Sequence, residues 1–147
     1  MHLNNTTEQH LRINRHHRRI ETDISCEAGL PGESLASARV LNLSLGGLKF
    51  QCGLQLINAL IPEEQRTPGT VIDVVLEICL RIKAGSQRAT IIKEKAQLVH
   101  YERLAQDRFH VGVEFQSLDH TAKNKLDEYI DACLKASESP PDEAPGP

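Results

Sequence analysis

Apolar and polar residues alternate with a period of two along most of this chain. The alternation is clearest over residues 72–82, where every second residue is aliphatic and Asp73, Glu77 and Arg81 share the other face. Successive side chains of a strand point to opposite faces, so such a run predicts a β-strand with one buried face. Runs that we interpret as strands cover residues 20–26, 37–42, 48–52, 72–82, 89–101 and 109–115.

Turn segments such as residues 29–32 and 84–86 separate neighbouring runs. Six short strands joined by turns favour an antiparallel sheet that closes into a barrel. We therefore predict a mainly β fold, a six-stranded antiparallel β-barrel. Glu94 interrupts the alternation of the fifth run, which indicates a bulge or an edge position there.

Two segments do not follow the strand pattern. Residues 54–69 are apolar without a clean period and contain Pro62 and Pro68, so we expect a short helical turn or loop that caps an open end of the barrel. After the last strand, Asp119 is a candidate N-cap for a C-terminal α-helix. Apolar residues at helical spacing then predict a stripe that packs on the barrel: Ala122, Leu126, Tyr129, Ile130 and Cys133.

The chain of 147 residues is the size of one domain. We expect the folded domain, with a basic arm and the C-terminal helix, to span residues 12–136. Residues 1–11 are polar and without period, and we interpret them as a flexible tail. Residues 137–147 are acidic and rich in proline, a composition typical of disorder.

Composition narrows the function classes. Hydrophobic residues make up 39% of the chain but aromatic ones only 3%, so the core must be aliphatic. The net charge of −3 provides no general basic field, which argues against DNA binding. No apolar stretch is long enough to span a bilayer, and the first residues lack the apolar segment of a secretion signal. We therefore expect a cytoplasmic protein without a membrane span.

Neither catalysis nor metal binding is indicated. The four cysteines lie far apart within apolar runs, a spacing that favours buried free thiols over a zinc site. His16 and His17 lack further convincing ligands nearby, so we expect no metal and no cofactor. The chain also contains no nucleophile elbow, no Walker A glycine run and no recognisable catalytic carboxylate pair. We predict that the protein is not an enzyme.

Candidate binding chemistry lies in two segments. Asn42 and Ser44, two residues apart on an extended segment, should point the same way, and Gly46 and Gly47 mark a turn or a close backbone approach. Upstream, residues 15–19 read Arg-His-His-Arg-Arg, with two guanidinium groups four residues apart. Together these segments look like two halves of one anion site.

The two segments resemble the paired signature of the PilZ domain family, an RxxxR element followed by [D/N]xSxxG. Here the signature reads Arg15-x-x-x-Arg19 and Asn42-x-Ser44-x-x-Gly47. The resemblance covers roughly residues 12–134. It implies a small bacterial β-barrel that binds the second messenger cyclic di-GMP (c-di-GMP).

The resemblance also implies roles for single residues. Arg15 and Arg19 would contact phosphate or guanine, Asn42 and Ser44 would hydrogen-bond the ligand, and Gly47 would leave room for it. The guanidinium fork suits this ligand because it matches phosphate oxygens, pairs with guanine O6 and N7, and stacks on purines. Additional candidates are Arg18, Gly46 and Arg12.

Two function classes remain open. The first is a c-di-GMP receptor that changes its surface on binding and signals to a protein partner, which the resemblance places in motility, biofilm or exopolysaccharide machinery. In this case residues 12–20 of the arm should become ordered when the ligand binds. The second is a nucleotide-independent interaction module, either a vestigial PilZ-like domain or a small barrel that binds oligonucleotides. The intact paired signature favours the receptor.

Overall fold

Strands dominate the fold, as the alternation predicts. The structure is a computed structural model that describes residues 18–83 and 88–138. Its strands are β1 (Ile20–Glu21), β2 (Ser25–Gly29), β3 (Ala36–Leu43), β4 (Gly47–Cys52), β5 (Val75–Ile82), β6 (Thr90–Ala105) and β7 (Arg108–Phe115). Its helices are α1 (Leu54–Leu60), a 3₁₀ turn (Glu63–Arg66) and α2 (His120–Glu138). The predicted N-terminal tail, the turn at 84–86 and the residues from 139 onward lie outside the described residues.

Six of these strands close into a barrel. They pair in the order β3–β2–β5–β6–β7–β4, and β4 pairs back with β3. Each of the six pairings is antiparallel. The predicted fold, a six-stranded antiparallel barrel with a C-terminal helix, is therefore confirmed, with one short additional strand.

The additional strand, β1, comes from the first predicted run, residues 20–26. The structure divides this run into β1 and β2, and both parts pair with β3. Because β4 occupies the other edge of β3, the two parts lie along the same edge. Ile20 pairs with Leu43, whereas Ser25 pairs with Arg39, so the register shifts by one residue between the two parts. Such a shift does not appear in the alternation of the sequence.

Two other strand boundaries differ from the prediction. β5 begins three residues later than the predicted run 72–82, although Val74 is still buried. β6 continues past Tyr101 to Ala105 and forms a hairpin with β7. The Arg103 guanidinium supports this hairpin because it lies 5.3 Å from the Phe109 ring centroid and donates to two carbonyls of the turn. A charged residue that stabilises a strand end in this way gives no apolar signal.

The bulge expected at Glu94 is not present. Glu94 pairs in regular register with Ile78 on β5, and the irregularities of β6 lie further along, at Leu98/His100 and Arg103/Ala105. Pairing with β7 begins only at Ala96, so Glu94 does lie on a stretch of β6 whose second edge is not paired with β7. Partial burial, with Asp119 nearby, raises the pKa of the Glu94 carboxyl.

Both helices bury apolar faces against the barrel. In the segment 54–69, α1 contacts β2 and β7 and buries Leu56, Ile57 and Leu60, in agreement with the expected cap. α2 begins where predicted, since the Asp119 carboxylate accepts a hydrogen bond from the Ala122 N–H at 2.7 Å. Four residues of the predicted stripe of α2 are buried and the fifth, Cys133, is partly buried against the core: Ala122, Leu126, Tyr129 and Ile130. None of the described helices is long and apolar enough to cross a membrane.

The core inside the barrel is aliphatic, with Phe50 as its largest fully buried side chain. All four cysteines are free thiols, as expected. Cys26 and Cys52 are buried, whereas the other two are only partly buried. Burial raises the pKa of the Cys26 thiol to about 12 and that of Cys52 to about 11.

Candidate functional site

The turn between β3 and β4 is shaped by Ser44. Its hydroxyl donates a hydrogen bond to the Gly47 carbonyl (3.3 Å) and accepts one from the Gly46 N–H (3.2 Å). The Ser44 N–H donates to the same Gly47 carbonyl at 2.9 Å. Because a hydroxyl has one proton and two lone pairs, Ser44 keeps one lone pair for a further donor. In this arrangement Ser44 can accept a hydrogen bond from a ligand but has no proton left to donate.

The two glycines of this turn, Gly46 and Gly47, differ in how much space a Cβ atom would have. Neither has a positive φ, so a left-handed backbone conformation is not the cause. A Cβ on Gly47 would lie 2.0 Å from the Val113 carbonyl oxygen, because β4 and β7 approach closely there. A Cβ on Gly46 would meet only the Ser44 hydroxyl, at 3.8 Å. Position 47 therefore requires glycine because the backbones of β4 and β7 approach closely there. At position 46 the structure has room for a Cβ atom.

A cavity of about 160 Å³ opens beside this turn. Five residues singled out from the sequence line it: Arg19, Asn42, Ser44, Gly46 and Gly47. Arg19 lies next to the other four because β1, which follows it directly, pairs with β3: Ile20 pairs with Leu43 and Glu21 with Asn42. The two motif segments, which are separate in sequence, thus meet at one place on the barrel.

The floor of the cavity is a row of paired residues on the outer face of four strands. Asn42 on β3 pairs with Lys49 on β4, and Lys49 pairs with Gly112 on β7. Gly112 in turn pairs with His100 on β6. Paired residues project from the same face of a sheet, so Asn42, Lys49 and His100 all project outward. Gly112 supplies no side chain, which leaves the depression between Lys49 and His100.

His100 covers part of that depression. A Cβ built on Gly112 would lie 2.3 Å from the His100 Cε1 atom, so the imidazole occupies the space that a side chain at position 112 would need. The irregularity in β6 at Val99 turns His100 outward, and such bulges often re-aim a side chain beside a functional site. Sequence reasoning missed Lys49, His100 and Gly112 because only the strand register places them beside the motif.

Charges around the cavity are predominantly positive. Arg19 and Lys49 line it with two cationic groups, and Glu114, which pairs with Gly47, is the acidic member. A larger depression of about 400 Å³ lies near the β2–β3 turn and α1, and its lining includes Glu33 and Asp107 but no cationic residue of the described chain. An anion is therefore better matched by the smaller cavity.

Arg18 does not line this cavity. Its guanidinium instead contacts α2, with Nη2 3.2 Å from Asp127 Oδ1 and Nη1 3.5 Å from Asp131 Oδ1. The predicted ligand residues Arg12 and Arg15 lie outside the described residues. Of the two candidate arginines that the structure describes, Arg19 lines the cavity and Arg18 contacts α2.

The described residues contain no group of three or more His, Cys, Asp or Glu side chains that could hold a metal ion. The cavity residues are of a different kind, since guanidinium, ammonium and amide groups suit an anionic or hydrogen-bonding organic ligand. The arrangement can bind such a ligand through Arg19 and the turn, with the glycine floor beneath it.

The sequence profile of the PilZ domain matches residues 13–132. This is most of the chain, and the chain therefore belongs to the PilZ family. Residues 13–132 include both halves of the signature, the barrel and most of α2. No curated protein sequence is significantly similar to the chain.

Solved structures share the fold at low sequence identity. The Bacillus subtilis inhibitor of motility MotI/DgrA superposes with a TM-score of 0.57 at 12% identity, over 83% of this chain and 51% of that one. The Borreliella burgdorferi PlzA protein in complex with c-di-GMP gives 0.53 at 13% identity, over 91% of this chain and 58% of that one. This chain thus spans only about half the length of these two proteins.

A third structure matches over nearly its whole length. The PilZ domain of Escherichia coli YcgR, solved with c-di-GMP, gives a TM-score of 0.52 at 17% identity and covers 89% of this chain. The match includes 97% of that domain. At these identities the likeness establishes the fold, which is that of a single PilZ domain.

Proposed function

We propose that this protein binds c-di-GMP in the cavity beside the β3–β4 turn and passes the bound state to a protein partner. One observation carries the proposal: Arg19 and the residues Asn42, Ser44 and Gly47, which match the two halves of the PilZ signature, line one cavity. Family membership and the c-di-GMP complexes of two structural neighbours support the choice of ligand.

Each residue has a chemical role in this proposal. The Arg19 fork donates two parallel hydrogen bonds to a phosphate or to guanine O6 and N7. The Asn42 amide offers both a donor and an acceptor for a guanine edge. Ser44, whose proton is held by the Gly47 carbonyl, accepts from a guanine N–H. Gly47 and Gly112 keep the floor flat enough for a planar base.

The cavity accommodates only part of the ligand. Its volume of about 160 Å³ is suited to one base rather than to a whole cyclic dinucleotide. The remainder would lie over the rim, where we expect Arg15 to close on the second base or a phosphate. In this proposal the part of the ligand outside the cavity gives the second arginine of the signature, four residues before Arg19, its role.

Calorimetric titration with c-di-GMP tests the proposal, with cyclic di-AMP as the control ligand. We expect saturable binding of the guanine nucleotide and no linear dinucleotide product after incubation. Arg19→Ala should weaken binding about ten- to hundredfold, since hydrogen bonds to charged groups contribute roughly 1.5–3 kcal/mol. Arg19→Lys should recover only part of it, because a point charge replaces a fork. Absence of saturable binding at micromolar ligand would refute the receptor function.

Signalling to a partner is proposed as a change of surface at the arm. Ile20 is buried and Arg18 contacts α2 in the structure, so we place the proposed ordering in the part of the arm before Arg18. Amide exchange with and without c-di-GMP should therefore show new protection before Arg18 and little change in the barrel. The machinery of motility, biofilm or exopolysaccharide production remains the proposed setting.

The alternative is a nucleotide-independent interaction module. It predicts that a partner captured by the purified protein binds with the same affinity in the presence and absence of c-di-GMP. The receptor predicts a difference that disappears in Arg19→Ala. The cationic, glycine-floored cavity favours the receptor over this alternative.

A further inference from the structure

Arg18 and Arg19 are neighbours in sequence but serve opposite sides of the same chain segment. The Arg19 side chain lines the cavity, whereas the Arg18 side chain reaches α2. Side chains of adjacent residues in an extended chain point in opposite directions, so fixing one of them fixes the direction of the other. The contact of Arg18 with α2 therefore bears on where Arg19 points.

Arg18 forms ion pairs with two carboxylates that lie one helical turn apart on α2. Asp127 and Asp131 lie on one face of α2, and each contacts a different terminal nitrogen of the guanidinium, at 3.2 and 3.5 Å. The Arg18 side chain is only 30% exposed, which distinguishes this contact from a fully solvated surface pair. Lys135 contacts the other oxygen of Asp131 at 3.2 Å and helps to hold that carboxylate in place.

The chain beside Arg19 is also held by a short strand pairing and, after it, by a hydrogen bond from the Thr22 N–H to the Leu41 carbonyl at 3.0 Å. β1 is two residues long, and its pairing with β3 consists of Ile20 with Leu43 and Glu21 with Asn42. Ile20 is anchored in the core, but Arg19 is exposed and has no salt bridge to a described residue. The two ion pairs of Arg18 are the restraint that lies directly before Arg19, on the side opposite to Ile20.

We propose that Arg18 is a positioning residue for the ligand site: its contact with Asp127 and Asp131 fixes the arm so that Arg19 faces the cavity. The inference rests on the proposed function, because the affected property is the affinity for c-di-GMP. It also links the site to α2, since linkage is reciprocal and a ligand that holds Arg19 must favour the state in which Arg18 contacts the helix.

The double variant Asp127→Asn/Asp131→Asn separates this proposal from its rivals. If Arg18 contacts the ligand directly, releasing it from the helix strengthens binding. If the carboxylates act only through their long-range field, removing two negative charges also strengthens binding of an anion. The positioning role predicts the opposite sign, an affinity for c-di-GMP about three- to tenfold weaker, as expected for two partly exposed ion pairs.

The control variant removes the same charge elsewhere. Glu64→Gln/Glu128→Gln changes two exposed carboxylates that do not contact Arg18, and it should leave the affinity unchanged or slightly stronger. Arg18→Ala should weaken binding to the same extent as the Asp127/Asp131 variant, and combining the two should bring no further loss. Additive losses, or tighter binding by the Asp127/Asp131 variant, would overturn the proposal.

A second readout does not require ligand. Amide exchange at Ile20 and Glu21 in the free protein should become faster in the Asp127/Asp131 variant but not in the control variant. If the unaltered protein does not bind c-di-GMP, the proposed function fails while this measurement still decides whether the α2 contact fixes the arm. Unchanged exchange at these two amides would overturn the positioning role by itself.

Discussion

The sharpest structural prediction concerns the two adjacent glycines of the β3–β4 turn, Gly46 and Gly47. The Cβ of an alanine at position 47 would lie 2.0 Å from the Val113 carbonyl oxygen and 3.0 Å from the Glu114 Cα. Both of these are backbone atoms of β7, which cannot rotate away as a side chain could. The strands must therefore separate by about 1 Å merely to reach the shortest tolerable contact of 3.0 Å.

The cost of this separation follows from what it disturbs. Overpacking of a well-packed site costs about 1–3 kcal/mol. The hydrogen bond from the Phe115 N–H to the Gly46 carbonyl and that from the Ser44 N–H to the Gly47 carbonyl, both 2.9 Å, lie at the same place. Weakening each adds up to about 0.5–1.5 kcal/mol. We expect Gly47→Ala to lower the free energy of unfolding by about 2–4 kcal/mol.

Urea unfolding of Gly47→Ala and Gly46→Ala provides the matched comparison. The nearest atom to a Cβ at position 46 is the Ser44 hydroxyl, at 3.8 Å, and φ at that position is not positive. Gly46→Ala should therefore change stability by no more than about 1 kcal/mol in either direction. Equal stabilities of the two variants would refute the reasoning, because both remove a glycine and only one introduces a backbone clash.

Three further predictions concern the cavity wall, the buried thiols and the helix cap. His100→Ala should weaken c-di-GMP binding about three- to tenfold by calorimetry, one hydrogen bond or stacking contact; unchanged affinity would mean that the ring only covers Gly112. Because the pKa values of Cys26 and Cys52 are raised to about 12 and about 11, these thiols stay protonated to a higher pH in the folded state than in the unfolded state. The free energy of unfolding should thus fall above pH 9 by up to about 1.4 kcal/mol per pH unit per thiol, and less steeply in alanine variants. Asp119→Ala should destabilise the protein by about 0.5–2 kcal/mol in urea, whereas Asn at this position should retain most of the cap.

The sequence was sufficient to predict the barrel because its strands each keep one buried face. The predicted inward residues of β5 and β6, such as Leu76, Leu80 and Leu98, are buried. The division of the first run and the extension of β6 were not predictable in this way. One is a register shift and the other is held by the Arg103 guanidinium, and neither changes the apolar pattern.

The candidate site was predicted in one half only. The turn residues and Arg19 were found because they match a linear signature, and they lie together at the cavity. The opposite wall, with Lys49, Gly112 and His100, depends on which residues face one another across β4, β7 and β6. A single sequence shows alternation along each strand but not the register between strands, so these residues carried no signal.

Two bulges explain why simple alternation gives the wrong face for this site. Residues two apart on a regular strand face the same side, so alternation predicts that Asn42 faces the same side as Val40, and His100 the same side as Leu98. Val40 and Leu98 are buried in the core, whereas Asn42 and His100 project outward. A register shift lies between the members of each pair. Because an extra residue in one strand reverses the facing of everything after it, each shift turns the later residue outward.

The consequence is that the proposed binding surface depends on the barrel at two separate points, one in β3 and one in β6. Without the shift in β3, Asn42 would point into the core. The signature would then be intact in the sequence, but its Asn42 side chain would not line the cavity. Without the shift in β6, Val99 would face Gly112 and close the depression with an aliphatic side chain. The linear signature is therefore necessary for the proposed site, but the two irregular strands give it a cavity.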